Sequence, residues 1–313
     1  MRQKISILLA AGFFIAITAC IEFESQSVSF RHLPDKDTLL IIQQYNGICG
    51  GNKNEGLSKD EIGQLETMMS SAQTFFFSNW LLQYDREESI KSIQRFSKPA
   101  EPDDRLKDPA ARERLRVFNK LLVDNITILN GQFYLDQKGK LCGIQKITIA
   151  NISKILAAAN NSIRDLILSE LADGVDGFSE FSDETRQLLR QAAGGNQSFL
   201  QIEGNRLTFR WPIALDDVIK HILNENKEDK EDGFWFRNFA RGGLEFAYVK
   251  NNACFSIGSK DAPFSSLSAV FLGKVDYTPN AVQHVKTKFK LQEGLDIAKV
   301  RDEFFGLAKP AKR

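Results

Sequence analysis

The chain has 313 residues, of which 42% are hydrophobic and 26% are charged. These fractions are typical of a folded globular protein and exclude a disordered one. The 41 Lys and Arg residues nearly balance the 40 Asp and Glu residues, so charge provides no reason to expect nucleic acid as a partner. The length suffices for one large domain or two of ordinary size.

The first twenty residues, MRQKISILLAAGFFIAITAC, have the organisation of an export signal. Arg2 and Lys4 form a short positive region, and the apolar run that follows ends in small residues before Cys20. A stable membrane-spanning helix needs roughly 20 apolar residues, and this run is shorter. The segment therefore predicts a cleaved signal rather than a spanning helix.

This segment resembles the signal peptide and lipobox of bacterial lipoproteins. Ile17 stands where the usual lipobox has Leu, whereas Thr18 and Ala19 fit the pattern and Cys20 is the obligatory residue. The resemblance implies that residues 1–19 are removed and that the Cys20 thiol receives a diacylglyceryl group. It also implies acylation of the new amine in many species. The alternative is an ordinary signal peptide that is cut elsewhere.

The same resemblance implies a location. Diderm bacteria often retain a lipoprotein in the inner membrane when Asp follows the lipidated cysteine, and here Ile21 follows it. We therefore expect an exported, membrane-anchored lipoprotein, which in a diderm organism lies in the outer membrane and faces the periplasm.

The other cysteines are Cys49, Cys142 and Cys254. Cys49 and Cys142 both precede glycine, which suggests strand ends or turns, and the exported compartment is oxidising. Three cysteines give either one disulfide and a spare or three thiols, and we predict a Cys49–Cys142 disulfide with Cys254 as a buried inert thiol. The chain has no CxxC motif, so neither a zinc ribbon nor a thioredoxin-like site is expected.

Hydrophobic periodicity and cap signals predict an N-terminal lobe over 35–172, preceded by a tether over 20–34 that joins the lipid to the fold. Ser58 and Glu61 predict a capping box, and Asp108-Pro109 predicts a second helix start. The predicted elements are strands at 38–45, 74–82, 125–135 and 140–150, and helices at 58–70, from 108, and at 152–171.

Residues 173–182 are rich in Asp, Gly and Ser, and they predict a linker to a C-terminal lobe over 183–313. This lobe begins with a helix at 183–192 and a hairpin that turns at Gly204-Asn205. The remaining predicted elements are helices at 216–225 and 296–307, and strands at 243–250, 253–258, 267–275 and 281–291. The expected fold class is α+β, with antiparallel sheets covered by helices in two lobes.

The loop at 46–56 lies between a strand and a helix, as a phosphate-binding loop does. Asn52 stands where that loop needs Gly, and Asn54 where it needs Ser or Thr. We therefore interpret the segment as a flexible turn.

Asp217, His221 and Glu225 recur every four residues and share one helical stripe. Carboxylate and imidazole groups bind metals, but Val218 and Ile219 lie on the other side of this amphipathic helix. We therefore predict a solvated, ion-paired face with no metal, and we expect no cofactor.

Two further segments suggest binding. The run DGFWFRNFARGG at 232–243 has four aromatic residues and two arginines, which suit sugars or anions if they are exposed and a core if they are buried. Period two over 281–291 places four basic residues on one strand face: His284, Lys286, Lys288 and Lys290. They predict either a strip for an anionic lipid or envelope polymer, or a solvated face that discourages edge pairing.

No nucleophile motif such as GxSxG occurs, so no catalytic residue is assigned. The sequence favours a lipid-anchored cell-envelope protein with a binding or scaffolding role, whose partner is the membrane through the lipid on Cys20. The alternative is an envelope hydrolase that acts on glycan or peptide.

Overall fold

The computed structural model describes residues 21–50, 57–72, 84–101, 106–172, 178–223, 243–270, 285, 288, 289 and 291–307. Within these residues the helices are α1 (Lys59–Ser70), α2 (Arg86–Phe96), α3 (Pro109–Asn125), α4 (Ile152–Ala172), α5 (Asp183–Gly194), α6 (Leu215–Val218) and α7 (Ile297–Phe304). The strands are β1 (Ile21–Leu33), β2 (Thr38–Gly50), β3 (Ile126–Leu135), β4 (Leu141–Ala150), β5 (Leu200–Glu203), β6 (Asn205–Pro212), β7 (Leu244–Tyr248), β8 (Asn252–Ser259), β9 (Ser265–Val270) and β10 (Gln292–Glu293). The two sheets are mostly antiparallel, which confirms the α+β class.

The chain forms two compact units, each built on one sheet. In the six-stranded unit the sheet order is β10-β3-β4-β2-β1-β9, and only β10 pairs in parallel. Tyr45 faces α1, where Ile62 and Leu65 belong to the same buried cluster. Leu40 and Ile42 have the opposite parity and pack with Phe305 at the end of α7. The two faces of this sheet are thus covered by different helices.

The predicted tether over 20–34 is wrong, because β1 begins at Ile21. Ile21 and Phe23 are 5% and 8% exposed, and β1 pairs with β2 on one side and β9 on the other. Serines of β1 form cross-strand contacts, since Ser27 Oγ lies 3.0 Å from the Ser268 hydroxyl. Pairing with β9, which lies more than 200 residues away in the chain, therefore makes this polar segment a strand.

A row of amides crosses the α1-facing side of the six-stranded sheet. Gln43 lies opposite Gln145, and Gln145 lies opposite Asn130. Gln145 Nε2 donates to Asn130 Oδ1 at 2.6 Å, and Asn130 Nδ2 donates to the carbonyl oxygen of Met68 at 2.6 Å. Because Gln145 is fully buried, its amide needs such a bond. Asn130 thereby ties β3 to the C-terminal end of α1.

Replacing Asn130 with Ala is expected to lower the free energy of unfolding by about 2–3 kcal/mol. The substitution removes the bonds to α1 and leaves the buried Gln145 amide without its acceptor. Urea unfolding measures the loss. Gln132→Ala on the same strand is the control, because its bond to Gln292 is exposed, and it should change stability by less than about 0.5 kcal/mol. Equal losses in the two variants would contradict a special role for Asn130.

The four-stranded unit has the sheet order β5-β6-β8-β7, all antiparallel. Its core joins Ile167 of α4 and Leu189 of α5 to Phe199 and Trp211 of the sheet. The hairpin between β5 and β6 turns at Gly204, as predicted. Gly204 has φ +56°, and a Cβ there would lie 2.2 Å from the Lys260 carbonyl oxygen, so glycine is required.

The predicted lobe boundary within 173–182 is also wrong. Phe178 is buried in the same core as α4 and α5, so these two helices belong to one unit. The four-stranded unit comprises Arg86–Asn125 and Asn151–Ala262, and β9 returns the chain to the six-stranded sheet. Strand pairing, not proximity along the chain, defines the units.

Candidate functional site

A buried polar cluster links the start of α5 to α6. Ser182 is the N-cap of α5, and its side chain accepts a hydrogen bond from the Thr185 amide. Asp217 Oδ2 in turn accepts from the Ser182 amide at 2.9 Å, from the Ser182 hydroxyl at 2.6 Å, and from the Thr185 hydroxyl. The Ala214 amide donates to Thr185 Oγ1 at 2.8 Å. One carboxylate oxygen thus organises both helix starts.

Asp217 is held in its charged form. The side chain is buried, which by itself raises the pKa of the carboxyl group. Hydrogen bonds from Ser182 and Thr185 outweigh that effect, and the pKa of Asp217 is lowered below its ordinary value. The cluster therefore contains a buried carboxylate at neutral pH.

His221 lies beside this carboxylate without a direct hydrogen bond to it. Its Nε2 is 4.0 Å from Asp217 Oδ1, and its ring meets Phe181 edge-on with centroids 5.1 Å apart. The imidazole is largely enclosed, and Nε2 has no hydrogen-bond partner among the described residues.

The prediction of a solvated stripe at Asp217, His221 and Glu225 is wrong for the two described members. Asp217 is buried, whereas Ile219, which was expected on the apolar side, is exposed. Asp217 is buried against its hydrogen-bond donors at the start of α5, and a π-helical turn over Ile219–Leu223 replaces the α-helical spacing after α6. Glu225 lies outside the described residues.

Ser, Asp and His are the residue types of a hydrolytic triad, but the hydrogen bonds among them here differ from those of a triad. A nucleophilic serine gives its proton to the imidazole, and the carboxylate orients that imidazole. In this cluster the Ser182 hydroxyl donates directly to Asp217. Within the described part of the chain, no group of three or more His, Cys, Asp or Glu residues is arranged to hold a metal ion. The arrangement is suited to capping α5 and fixing α6.

The predicted Cys49–Cys142 disulfide is not formed, and both thiols are buried. β2 and β4 pair as far as Tyr45 opposite Gly143, so the ladder would bring position 46 opposite Cys142. Cys49 lies three residues further along β2, which is about 10 Å and exceeds the reach of a disulfide. Burial raises the pKa of the Cys142 thiol to about 11, so it is a poor nucleophile. Cys254 is also free but only half-buried.

The expected strand over 281–291 differs from the structure at its described positions. Val285, Lys288 and Phe289 are helical, and alternate residues share a face only in an extended strand. Val285 is buried, whereas Lys288 is exposed and pairs with Glu66 at 2.9 Å. His284, Lys286 and Lys290 lie outside the described residues. The prediction that the four basic residues share one face depended on an extended strand, and it does not apply to a helix.

Other predicted segments fall partly or wholly outside the described residues. Cys20 and the aromatic residues of the 232–243 run are outside them, as is the end of the 46–56 loop. The start of that loop, through Gly50, belongs to β2 rather than to a turn.

One face of the four-stranded sheet is apolar except at one end, where Asn205 lies opposite Ser259. Three rows cross the strands: Trp211–Ala253–Tyr248, Leu200–Phe209–Phe255–Phe246 and Ile202–Leu207–Ile257–Leu244. We call the second and third rows the apolar rows. The opposite face carries polar and charged residues such as Gln201, Arg206, Thr208 and Glu245.

The buried fraction of the side chains decreases from the row of Trp211 to the two apolar rows. Trp211 and Ala253 are buried against the helices, whereas all eight side chains of the apolar rows are only half-buried. Three of these are aromatic and in contact: Phe209 and Phe255 lie 6.4 Å apart, and Phe255 and Phe246 lie 5.2 Å apart. The three phenylalanines also pack against the buried core of the four-stranded unit, so only part of each side chain is accessible to an apolar ligand.

Sequence reasoning located this hairpin and its following strands but missed the surface. The signal was present as apolar alternation in LQIE, RLTFRW, LEFAY and ACFSIG. Only the register of the four strands brings these alternate residues onto one face.

Models of protein families, curated proteins and solved structures were compared with the chain. None of them matches it. Across the described ranges, no helix combines the length and the apolar character that crossing a membrane requires.

Proposed function

We propose that this protein is a lipid-anchored cell-envelope protein that binds lipid acyl chains on the apolar rows of its four-stranded sheet. Residues 1–20 support the anchor through their resemblance to a lipoprotein signal and lipobox. The observation that carries the binding role is the half-buried state of all eight apolar side chains in the two rows.

The chemistry of the surface favours a hydrocarbon ligand. The two central strands, β6 and β8, pair on both sides, and no side chain on the apolar rows is a hydrogen-bond donor or acceptor. A sugar or peptide would lose its hydrogen bonds to water on such a face and gain none in return. An acyl chain loses nothing polar and gains about 0.8 kcal/mol for each CH₂ that it buries.

The test uses the unlipidated chain, without residues 1–19 and with Cys20→Ser, and the fluorescent fatty acid cis-parinaric acid. We expect Ile202→Glu to weaken binding at least tenfold, because it places a charge against the hydrocarbon. Gln201→Glu is the matched control: it adds the same charge to the adjacent residue of β5, on the polar face. It should bind as the parent chain does.

Fluorescence titration measures both affinities, and circular dichroism verifies that both variants fold. A parent chain that does not bind the fatty acid would contradict the proposal. Equal weakening by the two variants would also contradict it, because the effect would then come from charge alone.

Two earlier alternatives are weaker proposals. An envelope hydrolase would need a nucleophile and base in contact, and the Ser182–Asp217 bond uses the serine differently. The proposal that an anionic lipid or envelope polymer binds at His284, Lys286, Lys288 and Lys290 now has only their positive charge as support. Lys288 already forms an ion pair with Glu66.

A further inference from the structure

The lipid anchor and the fold leave no length of chain between them. Cys20 is bonded to Ile21, and Ile21 is already paired with Gly50 and buried in the core of the six-stranded unit. One residue spans at most about 3.6 Å. If the lipid is on Cys20, the start of β1 lies at the membrane surface.

The strand register identifies what else lies at that end of the sheet. β1 starts opposite the end of β2, and β2 is followed in the sheet by β4 and β3. The turn over 136–140 joins the end of β3 to the start of β4, so it lies at the same end as Ile21. Lys140 in this turn forms an ion pair with Glu24 of β1, which brings the turn directly against the anchored strand.

The opposite end of β1 lies far from the anchor. Twelve residues separate Ile21 from Leu33, which corresponds to about 40 Å in an extended strand. The 3-10 turn Pro34–Lys36 is at that far end. Because the two faces of the sheet are covered by α1 and α7, the end of the sheet next to the anchor remains for the membrane.

We infer that the six-stranded unit stands end-on against the membrane, with the 136–140 turn in contact with phospholipid headgroups. The inference depends on the lipid anchor of the proposed function, and not on the acyl-chain surface. The tip of the turn suits headgroups, because Gln137, Lys138 and Gly139 are exposed and carry no negative charge. The Asp136 carboxylate is turned inward and accepts from the amides of Lys138 and Lys140, both at 2.8 Å.

The experiment uses the full lipidated chain in vesicles that contain a lipid with a nitroxide on its headgroup. A fluorophore is attached at Lys138→Cys or, as the matched control, at Lys36→Cys. Both positions are exposed lysines in turns of the same unit, at opposite ends of the sheet. Cys254→Ser removes the half-buried thiol, and Cys49 and Cys142 are buried.

We expect the nitroxide to quench the label at position 138 several-fold more than the label at position 36. Inserting a ten-residue Gly-Ser segment between Cys20 and Ile21 should remove most of this difference, because the fold then has a flexible tether. Equal quenching at both positions, or stronger quenching at position 36, would overturn the end-on orientation.

Mass spectrometry of the N-terminal peptide distinguishes a wrong orientation from a missing lipid anchor. A lipidated chain with equal quenching at both positions contradicts the orientation alone. A chain without lipid on Cys20 contradicts the anchor, and the orientation with it.

Discussion

Replacing Cys20 with Ala is expected to abolish lipid labelling of the protein and to block its normal cleavage after Ala19. In the implied reaction, the diacylglyceryl group is attached to the sulfur atom of Cys20, which alanine lacks. Loss of the two or three acyl chains removes a stable anchor, since even one chain gives only marginal membrane binding. Incorporation of an alkyne-tagged palmitate analogue measures the effect directly.

Cys254→Ala is the control for this substitution, because Cys254 is also a free cysteine but lies in β8. Labelling and cleavage should be unchanged in that variant. Tagged palmitate that persists in the Cys20→Ala variant would contradict the lipoprotein assignment, and the orientation of the six-stranded unit would lose its basis.

Replacing Asp217 with Asn is expected to lower the free energy of unfolding by about 2–4 kcal/mol at pH 7. Asp217 accepts from three donors on Ser182 and Thr185, and an asparagine would present its NH₂ group or a weaker acceptor to them. Urea unfolding of the two chains gives the difference.

The same difference should depend on pH with a defined sign. The pKa of Asp217 is lower in the folded chain than its ordinary value of 3.8, so its charge stabilises the fold at pH values above about 4. This stabilisation is lost as the pH falls below that value and through the folded-state pKa. The gap between the parent chain and Asp217→Asn should therefore shrink in acid.

Asp216→Asn is the matched control, since Asp216 is the adjacent residue of α6 and is exposed. Its effect at pH 7 should stay within about 0.5 kcal/mol. Similar losses for Asp216→Asn and Asp217→Asn would show that general charge, and not the buried bonds to α5, explains the result.

The polar cluster has the residue types of a catalytic site, but its hydrogen bonds are arranged differently. Ser182 and Thr185 each donate a hydroxyl proton to one carboxylate oxygen, and the imidazole of His221 stands aside at 4.0 Å. The cluster stabilises two helix starts in the unit whose sheet carries the apolar rows. Stability is thus the property that substitutions here should change.

Features that depend on a few neighbouring residues follow directly from the order of the amino acids. Ser58 and Glu61 form the predicted capping box, with the Ser58 amide donating to the Glu61 carboxylate at 2.6 Å. Asp108 caps α3 through the Ala111 amide at 3.1 Å, as its position before Pro109 predicts. Such local bonds form wherever the segment is placed, so cap signals and hydrophobic periodicity were sufficient.

Features that depend on residues distant in the chain form only when the whole protein folds. The serine-rich start of the fold is a strand because β9 pairs with it, and no disulfide joins Cys49 to Cys142 because the strand register offsets them. Asp217 is buried because the distant start of α5 supplies its donors. The apolar rows likewise exist only once four strands are in register, since each strand alone supplies two or three alternating residues. Register and long-range pairing are set by the free energy of the whole core, which no short segment contains.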